Sequence, residues 1–403
     1  MLIGIIGDTH IGCLSYGQPT DGGGNSRLDD YRKTLRSTIK DLVASGVKHI
    51  LFTGDIFEHR WPTVLQQKIF SEEISHALSI GVNWIGICLG NHDLTRQSNA
   101  SSLSYIQGLK LPAVQIYDTM DVVELGDSTS PRTNVLMMPF RDRKNLGVET
   151  NDAALELVAK EFREVFDRRN QNLPTLVLGH YCIEGTIFES EDVDFYGENQ
   201  LFLPQALFND VELSIFGHIH EPKVLSTNPY IAYVGSMEKR SGSERHDKLY
   251  AIVDTETQSV EYRKEPCREI YEIKLDYSHI SLIDRLFDRI VADTDEFAEA
   301  NPMQESIVKM SLKITATDDK YVEPKRIYRM LKERHKIQHC VELHPELYTE
   351  RQARNDRITE LIGDTEAFRI YLETVIDDKE ARAEISAIGV DIIREVEAQD
   401  AAS

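Results

Sequence analysis

The first 264 residues alternate short apolar runs with amphipathic segments, and this alternation constrains the fold more than any other feature. The apolar runs are typical of short buried strands and lie at Leu2–Ile6, His49–Thr53, Asn83–Leu89, Val135–Met138, Thr175–Leu178 and Leu213–Phe216. Between them, apolar residues recur at three- and four-residue spacing in Asp29–Ser45, Val64–Ile80 and Ala153–Arg169, which is the pattern of amphipathic helices. Buried strands separated by helices predict a layered α/β architecture.

The pattern changes along the rest of the chain. Strand-like runs at Tyr230–Val234, Leu249–Val253 and Val260–Arg263 follow one another without helices, and after Pro266 strands with alternating apolar residues are mixed with two helices. From about Leu347 the sequence is polar, acidic and helical, with narrow apolar stripes. We therefore predict three parts, which are an α/β domain over 1–264, a small α+β domain over 265–346 and a helical tail over 347–403.

Five short polar segments each follow an apolar strand candidate directly. They are Gly7–His10, Gly54–Asp55, Gly90–Asp93, Gly179–His180 and Gly217–His220. Each opens with glycine, which lets the backbone turn sharply at the end of a strand. Ligand sites in layered α/β proteins form at strand ends, so we expect these segments to meet in one crevice.

The segments supply side chains that bind metal ions. The proposed ligand set contains two carboxylates, one amide and four imidazoles, which are Asp8, Asp55, Asn91, His10, His180, His218 and His220. Nitrogen and oxygen ligands without a thiolate suit Mn²⁺, Fe²⁺ or Zn²⁺ better than a closed structural zinc site. This set is too large for one ion and suits two that share Asp55, which stands alone in its segment. A pair of ions activates water and clamps phosphate oxygens, so the inferred reaction is phosphoester hydrolysis.

Two further residues of the third segment are candidates for catalysis. His92 directly follows the proposed ligand Asn91, where an imidazole can protonate a leaving oxygen or stabilise the transition state. Asp93 is expected to orient that imidazole, as neighbouring carboxylates often do.

Each segment taken alone has a simpler structural interpretation. Asp8–His10 could be a helix-capping turn, Asn91–Asp93 an ordinary turn and His180 a hydrogen-bonded core histidine. The five segments together, in order and each after a strand, favour a dinuclear metal site over these alternatives.

The order of these segments resembles the calcineurin-like metallophosphoesterase superfamily, whose motifs are Asp-x-His, Gly-Asp, Gly-Asn-His-Asp/Glu, His and Gly-His-x-His. The resemblance implies a four-layer α-β-β-α sandwich and assigns Asp8, His10, Asp55 and His220 to one ion. It assigns Asp55, Asn91, His180 and His218 to the other, with His92 as the catalytic histidine. Gly54–Phe57 running on to Pro62-Thr63, and Tyr233–Arg240, further resemble the SbcD-type nucleases.

The SbcD-type resemblance implies a specific activity and partners. It implies a Mn²⁺-dependent DNA nuclease, with Mg²⁺, Fe²⁺ or Zn²⁺ as alternatives, that acts as an exonuclease on duplex ends and an endonuclease on single strands or hairpins. The small domain would cap the site and bind DNA, and the tail would bind the coiled coil of an SMC-like ATPase in DNA repair or recombination. A homodimer within a heterotetramer is also implied. Glu58 stands where many relatives have His or Asp, which leaves the balance of the two nuclease activities open.

The net charge constrains how DNA could bind. With 45 Lys and Arg against 67 Asp and Glu, the chain carries a formal charge of −22, so a nucleic acid requires a local basic patch or bound metal. Lys320–Lys336 contains seven basic and two acidic residues. The candidate DNA-binding residues are Lys239, Arg240, Lys325, Arg326, Arg329 and Lys332. The alternative is that these are ordinary solvated surfaces.

Two other classes of function remain as alternatives. A phosphodiesterase or protein phosphatase of the same superfamily, acting on a non-DNA substrate, would explain the metal site but not the small domain or tail. A non-catalytic scaffold predicts gaps in the ligand set, and none is visible. No apolar run approaches the ~20 residues that span a bilayer, and the five cysteines are scattered like reduced thiols. We therefore expect no membrane association and a cytoplasmic location, in a bacterial cell or a phage-infected host.

Overall fold

The structure is a computed structural model that describes residues 1–21, 24–95, 100–126, 132–186, 200–278, 285–315, 320, 322–348, 363–376 and 378–400. Its strands are β1 (Leu2–Ile6), β2 (His49–Phe52), β3 (Trp84–Cys88), β4 (Val114–Tyr117), β5 (Asp121–Leu125), β6 (Thr133–Met138), β7 (Thr175–His180), β8 (Cys182–Ile183), β9 (Phe202–Leu203), β10 (Leu213–Gly217), β11 (Lys223–Thr227), β12 (Tyr230–Tyr233), β13 (Leu249–Asp254), β14 (Ser259–Lys264), β15 (Ile270–Asp276), β16 (Ile307–Thr315) and β17 (His339–Tyr348). Its helices are α1 (Ser26–Ala44), α2 (Val64–Ser79), α3 (Ser104–Gln107), α4 (Arg143–Leu146), α5 (Asn151–Asp167), α6 (Leu286–Ala300), α7 (Pro324–His335), α8 (Asp364–Val375) and α9 (Lys379–Asp400), with a 3₁₀ turn at Gln205–Phe208.

Two six-stranded sheets form the centre of the first 264 residues. One has the strand order β14-β13-β1-β2-β3-β4, in which β1 to β4 are parallel and β13 and β14 are antiparallel to their neighbours. The other has the order β11-β12-β10-β7-β6-β5, with a parallel centre from β12 to β6 and antiparallel edges. Both parallel centres bring the carboxyl ends of successive strands to one edge of the sheet.

Three buried clusters define four layers. Leu51 and Val253 of the first sheet share a cluster with Met137 and Leu178 of the second, so the two sheets pack face to face. The outer face of the first sheet is covered by the apolar faces of α1 and α2, and α5 covers that of the second. The α-β-β-α sandwich that we predicted is confirmed.

Local signals explain where the helices begin. The Asn25 side chain accepts a hydrogen bond from the Arg27 backbone N–H at 2.9 Å, so α1 begins three residues before the apolar periodicity predicts. Thr63 and Gln66 form a capping box at the start of α2, because each side chain binds the other's backbone N–H.

The remaining elements include a three-stranded sheet of order β15-β16-β17, with α6 after β15 and α7 after β16 in the chain. Contacts divide the chain into two compact units, of which the first comprises Met1–Ile273, Thr294–Met310 and Lys325–Leu343 and the second comprises Lys274–Asp293, Ser311–Pro324 and His344–Ser403. In the second unit Gly389 of α9 lies against the Phe368 ring of α8, where a larger residue would not fit. The division at 264 and 346 stays a prediction.

No helix among the described residues is both long and apolar enough to cross a membrane.

Candidate metal centre

Loops after five strands of the two central sheets converge on one site. Asp8 and His10 follow β1, Asp55 follows β2, and Asn91 follows β3, while His180 ends β7 and His218 follows β10. His10, Asp55 and His218 have positive φ angles of 45°, 46° and 87°. Non-glycine residues rarely adopt this left-handed conformation, and where they do the surrounding structure must hold them in it. The backbone is therefore bent to aim these side chains.

Two glycines make the close approach of these loops possible. Gly54 has a φ of +121°, and a Cβ there would lie 2.7 Å from His180 Nδ1 and from the Gly90 backbone nitrogen. A side chain at Gly90 would collide with the Asp55 carboxylate. These positions require glycine because any larger residue would separate Asp55 from its neighbours.

One group of converging ligands consists of Asp8, His10 and His220, whose ligand atoms lie within 4.8 Å of one another. The Nε2 atoms of His10 and His220 are 3.0 Å apart. Asp8 is held in place by the Thr53 hydroxyl, which donates to Oδ1 at 2.9 Å, and by the His218 backbone N–H, which donates to Oδ2 at 2.7 Å.

A second group consists of Asp55, His180 and His218, again within 4.8 Å. Asn91 joins it, because its Oδ1 lies 3.0 Å from His180 Nε2 and 2.9 Å from His218 Nδ1. His180 Nδ1 donates to the Thr53 carbonyl oxygen at 2.9 Å, which fixes the ring with Nε2 towards the site.

Asp55 lies between the two groups. Its Oδ2 is 3.7 Å from His10 Nε2 in the first group and 3.3 Å from His180 Nε2 in the second. Its Oδ1 accepts the His92 backbone N–H at 2.8 Å. One carboxylate oxygen thus faces imidazoles of both groups.

Burial and mutual repulsion keep most of the imidazoles neutral, which is the form that binds metal. Burial lowers the pKa of His10 to about 4. Burial and the His180 charge lower the pKa of His218 to about 3, and burial with the nearby His10 lowers that of His220 well below its ordinary value. Burial also disfavours charge on His180, but the Asp55 and Asp8 carboxylates outweigh it and raise the pKa of His180.

The buried carboxylates respond in opposite directions. Burial raises the pKa of Asp8, whereas at Asp55 the effect of burial is outweighed by His180, which holds the pKa of Asp55 well below its usual range. A buried carboxylate stays ionised only where positive charge compensates it. Such a cluster of buried carboxylates and imidazoles, without thiolate, suits divalent ions with nitrogen and oxygen ligands. The residues present therefore fit a metal centre.

His92 lies at the edge of the ligand set. Its Nδ1 is 2.6 Å from the Glu58 carbonyl oxygen, and its ring meets the His10 ring edge-on at 5.0 Å between centroids. His92 also forms a third convergent group with His10 and Asp55. It is only partly buried, unlike the imidazoles of the candidate ligand set.

Asp93 accepts hydrogen bonds from several groups of the converging loops. The buried Asp93 carboxylate accepts from the Gly90 and Ile56 backbone N–H groups at 3.0 and 3.2 Å and from the Ser102 hydroxyl at 2.9 Å. These donors hold the carboxylate between its own loop and the Ile56 segment that follows β2. Burial and the Asp55 charge raise the pKa of Asp93 to about 6. The structure gives the His92 ring a contact to the Glu58 carbonyl oxygen, and the orienting role of Asp93 stays a prediction.

The candidate DNA-binding residues divide into two sets. Lys239, predicted to contact DNA, is instead buried, and its Nζ lies 2.6 Å from Glu269 Oε2. This burial is unfavourable for a contact with DNA. Arg240 lies beside the metal ligands and pairs with Glu58. On α7, Lys325, Arg326 and Arg329 are exposed while Ile327 and Leu331 are buried, and Lys332 is partly buried and donates to the Gln338 carbonyl.

Sequence reasoning missed several contacts of the site. Glu58 was singled out only for its unusual residue type, yet its Oε2 lies 3.1 Å from His10 Nδ1 and its Oε1 2.8 Å from Arg240 NH2. Gln200 Oε1 lies 3.1 Å from His218 Nε2. No motif marks Gln200, because it follows no strand candidate in the sequence.

Comparisons with known proteins agree with this geometry. The family model of the calcineurin-like phosphoesterases matches residues 1–222. The SbcD component of the nuclease SbcCD from Staphylococcus saprophyticus is 25% identical over 62% of this chain and 67% of its own length. The DNA double-strand break repair protein Mre11 from Methanosarcina mazei is 23% identical over 75% of this chain and 43% of its own length. The match thus spans less than half of the archaeal relative.

Among solved structures, a dimetal phosphatase from Danio rerio is 11% identical, with a TM-score of 0.35 over 62% of this chain and 91% of that one. This likeness is too slight to bear on function. The family match covers more than half of the 403 residues and includes all five segments at the site. The chain therefore belongs to the calcineurin-like phosphoesterase family, as a metal-dependent phosphoesterase similar to the SbcD and Mre11 proteins.

Proposed function

We propose that this protein is a dinuclear-metal nuclease that acts on DNA as one part of a larger complex. The observation that carries the proposal is the position of Asp55, whose Oδ2 faces His10 in one ligand group and His180 in the other. A carboxylate so placed can bridge two ions, and two ions side by side suit an in-line displacement at phosphorus.

The ligand sets follow from the two groups. Asp8, His10, Asp55 and His220 would hold one ion, and Asp55, Asn91, His180 and His218 the other. Bound there, divalent ions would act as Lewis acids on the phosphate oxygens and lower the pKa of water. We infer Mn²⁺ as the ion in use, with Mg²⁺, Fe²⁺ and Zn²⁺ as alternatives of similar ligand preference.

His92 is the proposed catalytic residue. Its partly exposed ring stands beside His10, and its Nδ1 is held by the Glu58 carbonyl. This contact fixes the orientation of the ring, and an imidazole in this place can exchange a proton with a leaving oxygen. Asp93 would support this role only indirectly, by holding the loop that carries His92.

DNA is the proposed substrate on two grounds. The relatives are named as part of a nuclease and as DNA double-strand break repair proteins. The exposed Lys325, Arg326 and Arg329 on α7 offer a basic face in a chain whose overall charge is −22. We propose exonuclease action on duplex ends and endonuclease action on single strands or hairpins.

We further propose that the helical tail, residues 347–403, binds the coiled coil of an SMC-like ATPase. In α9 the side chains of Ile385, Ile388 and Ile392 are 43%, 60% and 56% exposed, so part of the predicted apolar stripe remains open to a partner. The small domain, residues 265–346, would contact DNA, and the protein would act as a homodimer within a heterotetramer in the cytoplasm.

The second candidate is a phosphodiesterase or phosphatase with a non-DNA substrate. The metal centre alone is compatible with both candidates, because a dinuclear site hydrolyses many phosphoesters. The basic face of α7 favours the nuclease.

End-labelled DNA separates the two candidates. We expect wild-type protein in Mn²⁺ to degrade linear duplex and to open hairpin DNA, with and without the ATPase. Asp55→Asn, which removes the proposed bridge, should abolish cleavage and reduce the metal content measured by mass spectrometry. Hydrolysis of bis(4-nitrophenyl) phosphate without any cleavage of DNA would contradict the nuclease proposal.

Deletion of residues 347–403 tests the proposed partner. We expect the truncated protein to hydrolyse bis(4-nitrophenyl) phosphate as before and to lose co-purification with the ATPase. Continued co-purification would refute the docking role of the tail.

A further inference from the structure

We propose that Arg240 is a substrate-binding residue that contacts the phosphate group held at the metal centre. This proposal deepens the proposed function and rests on it for the presence of a phosphate. It concerns one side chain whose two guanidinium nitrogens have different surroundings. NH2 pairs with Glu58 Oε1 at 2.8 Å, and NH1 lies 3.4 Å from His220 Nδ1. NH2 is thus held by Glu58, and NH1 lies next to a proposed metal ligand.

The backbone that carries Arg240 is fixed on both sides. The buried Arg27 guanidinium donates to the Lys239 carbonyl oxygen at 2.7 Å and to Glu238 Oε2 at 3.2 Å. The Arg240 N–H itself donates to Glu244 Oε1 at 3.2 Å. These contacts position the arginine before any ligand arrives, so little conformational entropy is lost when it binds one.

The loop is also tied directly to the metal-ligand segment. The buried Lys248 Nζ donates to the Ser236 hydroxyl at 2.8 Å and to the His220 carbonyl oxygen at 3.2 Å. A displacement of the loop would therefore displace His220. This coupling keeps the guanidinium at a constant distance from the ligand set.

Charge explains why a cation is placed there. An arginine next to divalent ions is repelled unless negative charge lies nearby. Glu58 supplies that charge, because its carboxylate touches both Arg240 and His10. The compensation is local, so a phosphodiester anion arriving at the ions gains an attractive partner that is already desolvated and oriented. Arginine suits this task because its planar fork matches phosphate oxygens.

The arginine is accessible enough to meet a ligand. Its side chain keeps 15% of its surface exposed, whereas the neighbouring Lys239 is buried against Glu269. Arg240 therefore combines exposure with a position beside the proposed ligand His220. The chemical class of ligand is a phosphate ester, and the contact is to its non-bridging oxygens.

The test uses thymidine 5′-monophosphate as the probe. Binding to the full-length, Mn²⁺-loaded protein is measured by calorimetry, with thymidine as the ligand that lacks phosphate. We expect Arg240→Gln to weaken nucleotide binding by about 10- to 100-fold and to raise KM for bis(4-nitrophenyl) phosphate similarly, with a smaller effect on kcat. Arg240→Lys should retain part of the affinity, because it keeps the charge but loses the fork.

Arg132→Gln is the matched control, since Arg132 also pairs with a carboxylate, Glu124, at 2.6 Å but away from the site. It should bind the nucleotide as wild type does. The proposal is overturned if Arg240→Gln binds the nucleotide with wild-type affinity, or if its weaker binding is accompanied by an equal loss of bound metal. Glu58→Gln should weaken nucleotide binding less in the Arg240→Gln background than in wild type, because the two residues act together.

The result separates the two proposals. If the nucleotide binds through Arg240 but DNA is not cut, the nuclease proposal fails and the role of Arg240 stands. If DNA is cut and Arg240→Gln changes neither KM nor nucleotide affinity, the nuclease proposal stands and the proposed role of Arg240 fails.

Discussion

At the scale of single residues, the site depends on backbone conformations that side chains normally avoid. His10, Asp55 and His218 are all left-handed, at a cost of order 1–3 kcal/mol each. Compensating hydrogen bonds surround them, such as those from the His10 backbone N–H to the Asp55 carbonyl at 2.9 Å and from the His218 N–H to Asp8 at 2.7 Å. The left-handed conformations thus lower the folding stability locally, and they orient the candidate ligands towards one point.

His92→Ala tests whether His92 is a catalyst or a ligand. We expect hydrolysis of bis(4-nitrophenyl) phosphate to fall by about 10²- to 10⁴-fold, with the metal content measured by mass spectrometry unchanged. His59→Ala, an exposed histidine on the loop that follows β2, should behave like wild type. Loss of metal together with activity would instead make His92 a ligand, in keeping with its convergence with His10 and Asp55.

Asp93→Asn tests the structural role of Asp93. The amide replaces an acceptor oxygen that receives backbone or hydroxyl protons from Gly90, Ile56 and Ser102. We expect a loss of about 1–3 kcal/mol in the free energy of unfolding, measured with urea in the presence of a chelator. The exposed Asp210→Asn should change stability little. An unchanged stability with a lower kcat would return Asp93 to the role of orienting His92.

At the scale of elements, α1 connects the helical layer with the loops at the site. Its Arg27 binds Glu238 and Asp30, and its Thr38 hydroxyl donates to the buried Glu265 at the end of β14. Within the part of the chain that the structure describes, Glu265 Oε1 has no hydrogen-bond partner. Burial, with Glu238 nearby, raises the pKa of Glu265 well above its ordinary value, so the folded protein favours the neutral acid.

Glu265→Gln should therefore change how stability depends on pH. At a pH below the ordinary carboxyl pKa, Glu265 is protonated in both the folded and unfolded states. Its ionisation then does not change the free energy of unfolding. As the pH rises, the unfolded state loses the proton first, so wild-type stability falls until the raised folded pKa is passed. We expect the amide variant to gain of order 1 kcal/mol over wild type between pH 5 and pH 8.

Urea unfolding of the metal-free protein at both pH values measures this difference. Glu256→Gln, at an exposed turn, is the control and should follow wild type at each pH. A parallel pH dependence of wild type and Glu265→Gln would mean that Glu265 is not neutral in the fold.

At the scale of the whole molecule, the negative net charge of the chain repels DNA, the proposed substrate. The chain carries −22 overall, while α7 presents Lys325, Arg326 and Arg329 on its exposed side. Long-range repulsion and local attraction are both screened by salt, but counterion release from DNA dominates the salt dependence of the local contacts.

Neutralising this face tests its contact with DNA. The triple variant Lys325→Gln, Arg326→Gln, Arg329→Gln should weaken duplex binding and reduce the slope of log affinity against log salt by about 3. Fluorescence anisotropy of labelled duplex at several salt concentrations measures both. The triple variant Lys160→Gln, Arg163→Gln, Arg168→Gln removes the same charge from α5 and the residue that follows it, and should keep the wild-type slope. Equal salt-dependence slopes for both variants would contradict the proposal that α7 contacts DNA.

The pattern of short buried strands and amphipathic helices predicts a layered α/β architecture with α1, α2 and α5, because few arrangements cover the apolar faces. The arrangement of two central sheets in four layers was implied only by the family resemblance. The polar edge strands β5 and β11 were missed, because partly exposed edges lack a continuous apolar run. The candidate ligands Asp8, Asp55 and His180 stand out in the sequence because each lies next to a glycine at a strand end.

The tertiary structure alone decided which side chains act together across the loops. Glu58 and Arg240 are 182 positions apart, and no local pattern can pair residues that meet only because separate loops converge. The contact of Lys239 was also decided by the fold, which buries this loop residue against Glu269. The hydrogen bonds of Asp93 were decided in the same way, because one donor is Ile56 on another loop and another is Ser102 on its own. Periodicity reports which face of a strand or helix is buried, whereas the partner of a charged side chain is set by packing between distant segments.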